Sequence, residues 1–226
     1  MTAARIVLGV DAVLLDSDGV LADSHAQVDV AWTTLAREFG LDIDELWAEL
    51  AGVPARRTLA RHLDGDLLDA AVERLEDLEV ETATGTPAIA GAARFVGSLA
   101  VGRHAFVTSA SRRLASARWT AAGIEPPPHV VTADDVARGK PDPDPYLAAA
   151  ALLGVDPSRC LVLEDADAGA RAGRAAGATV VAVGDAPWSV PAIARVRDLA
   201  DLDVRPGVDG FAMSVCVVDR TGAASA

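Results

Sequence analysis

Arg5-Ile6-Val7-Leu8-Gly9-Val10-Asp11-Ala12-Val13-Leu14-Leu15 runs straight into Asp16-Ser17-Asp18-Gly19, and the fold turns on that junction. An apolar, β-branched run that stops at a tight acidic turn reads as one buried strand over residues 5–15, ending in a loop. Beyond it the texture changes. From about 24 to 82 the apolar residues recur at helical spacing among many charges, with breaks at Gly40, Gly52-Val53-Pro54 and Gly65. Thr84-Gly85-Thr86-Pro87 then reads as a return linker.

Downstream, helix and strand alternate. Helices are expected over 88–100, 110–122, after Pro143, and over 167–176. Strands are expected over 103–108, near 129–132, and over 160–164 and 179–183. Such alternation implies an α/β fold: a parallel sheet with helices on both faces. The expected division is a sheet-bearing core of residues 1–20 and 86–226, and a helical segment, 21–85, inserted after the first strand. Phe211 to Val218 reads as a final edge strand or a contact surface, and 221–226 as a frayed end.

The chain has 226 residues, half of them apolar, and a formal net charge of −13. That charge argues against a nucleic-acid surface and against anionic lipid. No apolar stretch is long enough to span a bilayer, and the start lacks the layout of a secretory signal. The expectation is a cytoplasmic protein, monomeric or weakly dimeric, with no nucleic-acid or membrane partner. Cys160 and Cys216 read as reduced, small hydrophobes. Positive charge comes from 19 arginines and a single lysine, Lys140. Retaining one compact ammonium among so many planar forks suggests a site that needs a point charge.

Ligands of an open parallel sheet bind at the carboxyl ends of its strands. The first strand ends in Asp16, with Asp18 two residues on. The 103–108 strand ends in Thr108-Ser109, and the 160–164 strand in Glu164-Asp165, with Asp167 just behind. Lys140 sits in Gly139-Lys140-Pro141-Asp142, in the loop before the helix that precedes the acidic strand. Singly, these are ordinary features: an acidic turn, a helix cap, a surface lysine. Their order at successive strand ends favours a site.

Clustered carboxylates repel unless a hard cation joins them, and oxygen-only ligands suit Mg²⁺. An aspartate can attack phosphorus to form an aspartyl phosphate, given a metal and a cation to cancel charge. In that scheme Asp16 is the nucleophile. Asp18 protonates the leaving oxygen and later activates water. Thr108 holds a phosphoryl oxygen, Lys140 neutralises nucleophile and phosphate, and Glu164 and Asp165 complete the metal site. Ser109, Gly52, Arg56 and Arg57 are the candidate substrate contacts. His25 reads as a polar linker residue, and Trp32 and Trp47 as packing within the helical segment.

Four segments carry a family resemblance. Ala12 to Ser24 resembles the first motif of the haloacid dehalogenase superfamily, and Val107-Thr108-Ser109 the second. Gly139-Lys140-Pro141-Asp142-Pro143 resembles the third, and Leu163-Glu164-Asp165-Ala166-Asp167-Ala168-Gly169 the fourth. The resemblance implies a Rossmann-like core with a helical cap inserted after the first motif, and Mg²⁺-dependent phosphoryl chemistry. It implies a metal held by Asp16, the backbone carbonyl of Asp18, and Asp165, with Glu164 in support.

Within the superfamily, Asp18 counts against true dehalogenases, which lack that second aspartate. β-Phosphoglucomutases carry a histidine where this chain has Val28. The nearest likeness is to sugar- and polyol-phosphate phosphatases, through Val28-Asp29-Val30-Ala31-Trp32 and Ala133 to Pro141. The chain departs from them at Ala51-Gly52, where His-Gly is usual, and at Asp167, where proline is usual. The expected activity is hydrolysis of a small-molecule phosphate ester, with a phosphosugar mutase as the alternative. A binding protein that merely keeps the fold would need neither both aspartates nor Lys140.

Overall fold

The structure, a computed structural model, describes residues 4–50, 55–207 and 209–219. Gly52 and the expected frayed end lie outside them. The main sheet has six strands: β2 (Ala12–Leu15), β3 (His104–Val107), β4 (Val130–Val131), β5 (Cys160–Glu164), β6 (Thr179–Val183) and β7 (Ala194–Val196). They lie in the order β4-β3-β2-β5-β6-β7, all parallel. The chain steps outward from β2 through β3 to β4, then returns to β2's other side for β5, β6 and β7. The order therefore reverses at β2, and the crevice at its carboxyl end is where an open α/β sheet takes its ligand.

Both faces of this sheet are covered, which is why its strands read as unbroken apolar runs. Side-chain alternation divides them. Val13, Leu15, Phe106, Leu161, Leu163 and Val181 enter one core with Phe95 of α5 (Ala92–Ser98) and Trp119 of α6 (Arg112–Ala122). Ala12, Leu14, Ala105, Val107 and Val162 enter the other with Tyr146 of α7 (Asp144–Leu153) and Ala170 of α8 (Asp167–Ala175). Cys160 is buried in this second core, and both cysteines are free.

Residues 5–15 are not one strand. β1 (Ala4–Val10) belongs to a separate antiparallel sheet, β1-β9-β8, with β8 (Leu202–Pro206) and β9 (Met213–Asp219). The expected C-terminal strand is present as β9, but it is the central strand, and β8 was not foreseen. Asp11 makes the joint. Its N–H donates to the Arg159 carbonyl at 2.8 Å, and its carboxylate accepts from the Arg159 guanidinium and, at 2.9 Å, from the Ala212 N–H. A carboxylate so committed can be carried in an apolar run only where the chain crosses from one sheet to the next. The inner face of the small sheet, Val10, Leu202, Met213, Val215 and Val217, closes over the first core.

The helical segment comprises α1 (His25–Phe39), α2 (Ile43–Leu50), α3 (Ala55–Leu59) and α4 (Gly65–Thr82). It has its own apolar cluster: Ala31, Trp32, Leu35 and Ala36 of α1 meet Ala71, Leu75 and Leu78 of α4, with Leu46 and Leu59. Trp47 and Val28 pack against that cluster. The two ends of the segment run side by side, with Asp23 N–H donating to the Pro87 carbonyl at 2.9 Å and Ile89 N–H to that of Leu21 at 2.8 Å. Among the described residues, no helix is long and apolar enough to cross a membrane.

Arg159, and next the Ala212 N–H, hold the Asp11 carboxyl below its ordinary value of 3.8. Its contribution to stability is therefore present above that pH and lost as the pH falls through the lower, folded-state value. Asp11→Ala should lower the unfolding free energy by about 1–3 kcal/mol at neutral pH. In urea titrations, the gap between variant and wild type should narrow in strong acid.

Candidate active site

Asp16 stands one residue past the end of β2, its N–H bonded to the Leu163 carbonyl of β5 at 3.0 Å. Lys140 reaches in from the loop before α7. Its ammonium donates to Asp16 Oδ1, to Glu164 Oε1 at 2.6 Å and to the Val107 carbonyl at 3.2 Å. The Lys140 side chain is 7% exposed, Asp16's 9% and Glu164's 1%. The lone lysine of the chain is thus the buried centre of an ionic cluster drawn from three segments. Burial pushes the Lys140 pKa down, but Asp16 and Glu164 outweigh it and hold the ammonium well above its usual range.

Asp16, Glu164 and Asp165 each offer a carboxylate oxygen, all within 4.8 Å of one another. These oxygens are not equally available. Glu164 Oε1 accepts from Lys140 and, at 2.6 Å, from the Tyr146 hydroxyl. Its Oε2 accepts from the N–H groups of Asp165 and Ala166 at 3.1 and 3.2 Å. Four donors fill the Glu164 acceptor sites. Among the described residues no donor bonds to Asp16 Oδ2 or to the Asp165 carboxylate, which leaves them free to meet a cation. Burial, and then the charge of Glu164, pushes Asp165 up to about 7 and Asp16 well above the carboxylate range. Lys140 cannot balance three carboxylates, and a divalent ion would supply the missing charge. The residues present fit Mg²⁺.

Two glycines make this closeness possible. A Cβ on Gly169 would collide with the Glu164 carboxylate, and one on Gly19 with that of Asp165. Gly19 also has φ +75°, a left-handed conformation that suits glycine.

The remaining expected residues divide into those beside the cluster and those away from it. Thr108 is buried at the end of β3, one residue past the carbonyl that Lys140 contacts, and its Oγ1 accepts from Ala110 N–H at 3.0 Å. Ser109 is exposed next to it. Neither caps α6: that role belongs to Ser111, which accepts from Leu114 N–H. Arg56 pairs with Asp69 of α4, and both Arg56 and Arg57 are exposed on α3. Asp167 is bonded at its carboxylate by Arg171 and Ser189 and not by the residues of the cluster. Burial raises its carboxyl, but bonds from Ser189 and Arg171 outweigh that and hold it below the usual range. His25 is closer to the cluster than a linker residue need be, its Nε2 4.0 Å from Asp165 Oδ2.

Sequence reasoning missed the surroundings of Asp18. Ser24 Oγ donates to Asp18 Oδ1 at 2.7 Å, and Arg118 of α6 donates to the same oxygen at 2.9 Å. Arg118 also donates to Glu79 of α4 at 3.1 Å, and the neighbouring Trp119 Nε1 to Ser17 Oγ at 2.9 Å. The available signal was an arginine on the apolar stripe of a helix, beside Leu114 and Ala115.

Comparison with known proteins identifies the chain's family and fold. The model of the haloacid dehalogenase-like hydrolases matches residues 10–177. Hexitol phosphatase A of Escherichia coli is 42% identical over 188 residues, 81% of this chain and 87% of that protein. A β-phosphoglucomutase of Bacillus subtilis is 28% identical over 205 residues, 84% of this chain and 91% of that one. The crystal structure of CbbY from Rhodobacter sphaeroides in complex with phosphate superposes with a TM-score of 0.70 over 85% of this chain and 96% of its own, at 23% identity.

Gly169→Ala should drive the Glu164 carboxylate out of its cradle and leave Lys140 held by Asp16 and Val107 alone. Titration calorimetry should then find Mg²⁺ affinity at least tenfold weaker, a loss of about 1.4 kcal/mol or more.

Proposed function

The chain belongs to the haloacid dehalogenase-like hydrolases, and from that premise we propose that it is a Mg²⁺-dependent phosphatase of small sugar or polyol phosphates, with a hexitol phosphate as the first candidate. One observation carries the reading: the only lysine is buried against Asp16 at the point where the strand order reverses. The resemblance to hexitol phosphatase A supports the substrate class.

Asp16 is the nucleophile in this reading. Its carboxylate attacks phosphorus, forming a bond to it as the bond to the ester oxygen breaks, and the electron pair leaves on that oxygen. Asp18 gives the leaving oxygen a proton, so an alcohol departs and Asp16 carries the phosphoryl group. Water then attacks phosphorus, Asp18 takes its proton, and phosphate leaves with Asp16 restored. Lys140 offsets the charge of Asp16 throughout. The Thr108 hydroxyl donates to a phosphoryl oxygen, with Ser109 alongside it. Asp16 and Asp165, with the Asp18 backbone carbonyl, would hold the metal, and Glu164 serves them by fixing Lys140. Mg²⁺, when bound, supplies positive charge to the phosphoryl oxygens.

We take the helical segment 21–85 as the cap that closes over the substrate and excludes water. Gly52, Arg56 and Arg57 belong to the stretch of it proposed to meet the sugar or polyol end. The mutase alternative is weakened at Val28, which packs into the helical cluster and cannot move protons.

Phosphate release should be measured over a panel of hexitol, sugar and glycerol phosphates, with Mg²⁺ and then with EDTA. Release should be fastest on one polyol or sugar phosphate, cease with EDTA, and fall more than about 10³-fold in Asp16→Asn. An isomeric phosphate with little free phosphate would mean a mutase, and full turnover by Asp16→Asn would end the reading.

A further inference from the structure

Arg118 is a guanidinium in the middle of α6 with its side chain 5% exposed. Nothing in the packing of α6 asks for one there. Its face of the helix carries Leu114 and Ala115, both buried, and an apolar side chain would continue the stripe. A buried charge is retained only where it is paired and hydrogen-bonded. Arg118 has two partners from different parts of the chain: Asp18 of the loop after β2, through NH1, and Glu79 of α4, through NH2. Glu79 is itself largely buried, its side chain 16% exposed.

The bonds to Asp18 are one-sided. Ser24 and Arg118 both donate to Oδ1, and among the described residues nothing donates to Oδ2. Two donors on one oxygen fix the carboxyl plane and leave the other oxygen as the seat for a proton. The next residue of α6 holds the preceding residue of the loop, Trp119 bonding to Ser17. Consecutive side chains of one helix thus grip consecutive residues of the loop that follows Asp16. Beyond Arg118–Glu79, α6 meets α4 through Ser111 with Glu76 and Arg113 with Asp77, both at 2.6 Å. The hold on Asp18 is therefore continuous with the docking of α4.

We propose that Arg118 is a positioning residue for proton transfer: with Ser24 it pins Asp18 Oδ1 so that Oδ2 faces the reacting oxygen, and through Glu79 it makes that placement depend on α4. This rests on the proposed phosphatase reading, in which Asp18 moves the protons. Without Arg118, Asp18 keeps its chemistry but loses its aim, and the two proton-dependent steps slow. Those steps are departure of an alcohol and attack of water. Attack of Asp16 on an ester whose leaving group needs no proton is spared.

The test compares Arg118→Gln with wild type and with Asp18→Asn, on the alkyl phosphate that the wild type turns over fastest and on p-nitrophenyl phosphate. p-Nitrophenolate departs with its electron pair and takes no proton. On the alkyl ester, Arg118→Gln should lower kcat by about 10²-fold, the scale of a lost general acid–base contribution, with KM little changed. On p-nitrophenyl phosphate it should give a rapid burst of one nitrophenolate per site, near the wild-type rate, then slow turnover limited by hydrolysis of the phosphorylated aspartate. Ser24→Ala removes the other donor to Oδ1 at small risk to folding and should show the same pattern more weakly. Equal slowing of burst and steady state in both variants, or wild-type kinetics in both, would overturn the inference. Full activity of Asp18→Asn on the alkyl ester would instead overturn the reading beneath it.

Discussion

The ammonium of Lys140, held between Asp16 and Glu164 in a site almost closed to water, sets the terms for the rest of the molecule. Three charged groups in that setting are costly to desolvate, and removing one partner from such a cluster typically costs about 3–5 kcal/mol because another charge is stranded. Apolar residues of similar volume would serve stability at least as well. The cores on either side of the sheet show that the chain has no shortage of them. The cluster is therefore a cost to the fold that other contacts offset, and its retention fits a group of charges kept for chemistry. Glu164 shows how far the arrangement goes, with a lysine, a tyrosine and two backbone N–H groups on one buried carboxylate.

The topology meets that constraint. Lys140 and Asp16 are 124 residues apart, Lys140 and Glu164 only 24. The short separation is met by one helix: α7 runs from the lysine loop back along the sheet, and β5 returns to the same edge beside β2. The long separation is met by the reversal of strand order, which puts β2 between β3 and β5. Gly19 and Gly169 then remove the two side chains that would keep the acidic groups apart. Sheet order gives proximity to within a strand spacing, and the missing Cβ atoms give the last few ångströms.

Much of this was legible in the sequence because it depends on local pattern. The parallel strands are continuous apolar runs ended by acidic or hydroxyl residues. The lone lysine stood out because every other basic group is an arginine or a histidine. What was illegible depends on distant pairing. Asp11 interrupts its run by a single residue, and only its partners Arg159 and Ala212 show that the chain changes sheets there. β9 reads ambiguously because polar or weakly apolar residues alternate with apolar ones, Ser214 and Cys216 between Met213, Val215 and Val217, and Ser214 is buried all the same. Asp167 reads as a further acid near the cluster; its i,i+4 pairing with Arg171 is local, but its bonds from Ser189 come from a loop 22 residues away.

The two aspartates of the first loop are held by different means, and the difference bears on how the site works. Asp16 is anchored inside the sheet, by a backbone bond to β5 and by Lys140, so its position follows the rigid core. Asp18 is anchored outside it, by Ser24 at the entry to α1 and by Arg118, whose other arm rests on α4. Both of those anchors adjoin the helical segment, whose ends are joined to the core through the paired strands of chain at 21–23 and 87–89. A displacement of that segment would leave the nucleophile in place and move the group proposed to transfer protons. An enzyme built this way would form its phosphoryl-accepting half from the sheet alone and complete the proton-transferring half only when the helices are docked. Hydrolysis of a bound ester and closure over it would then be a single requirement, met through one buried arginine.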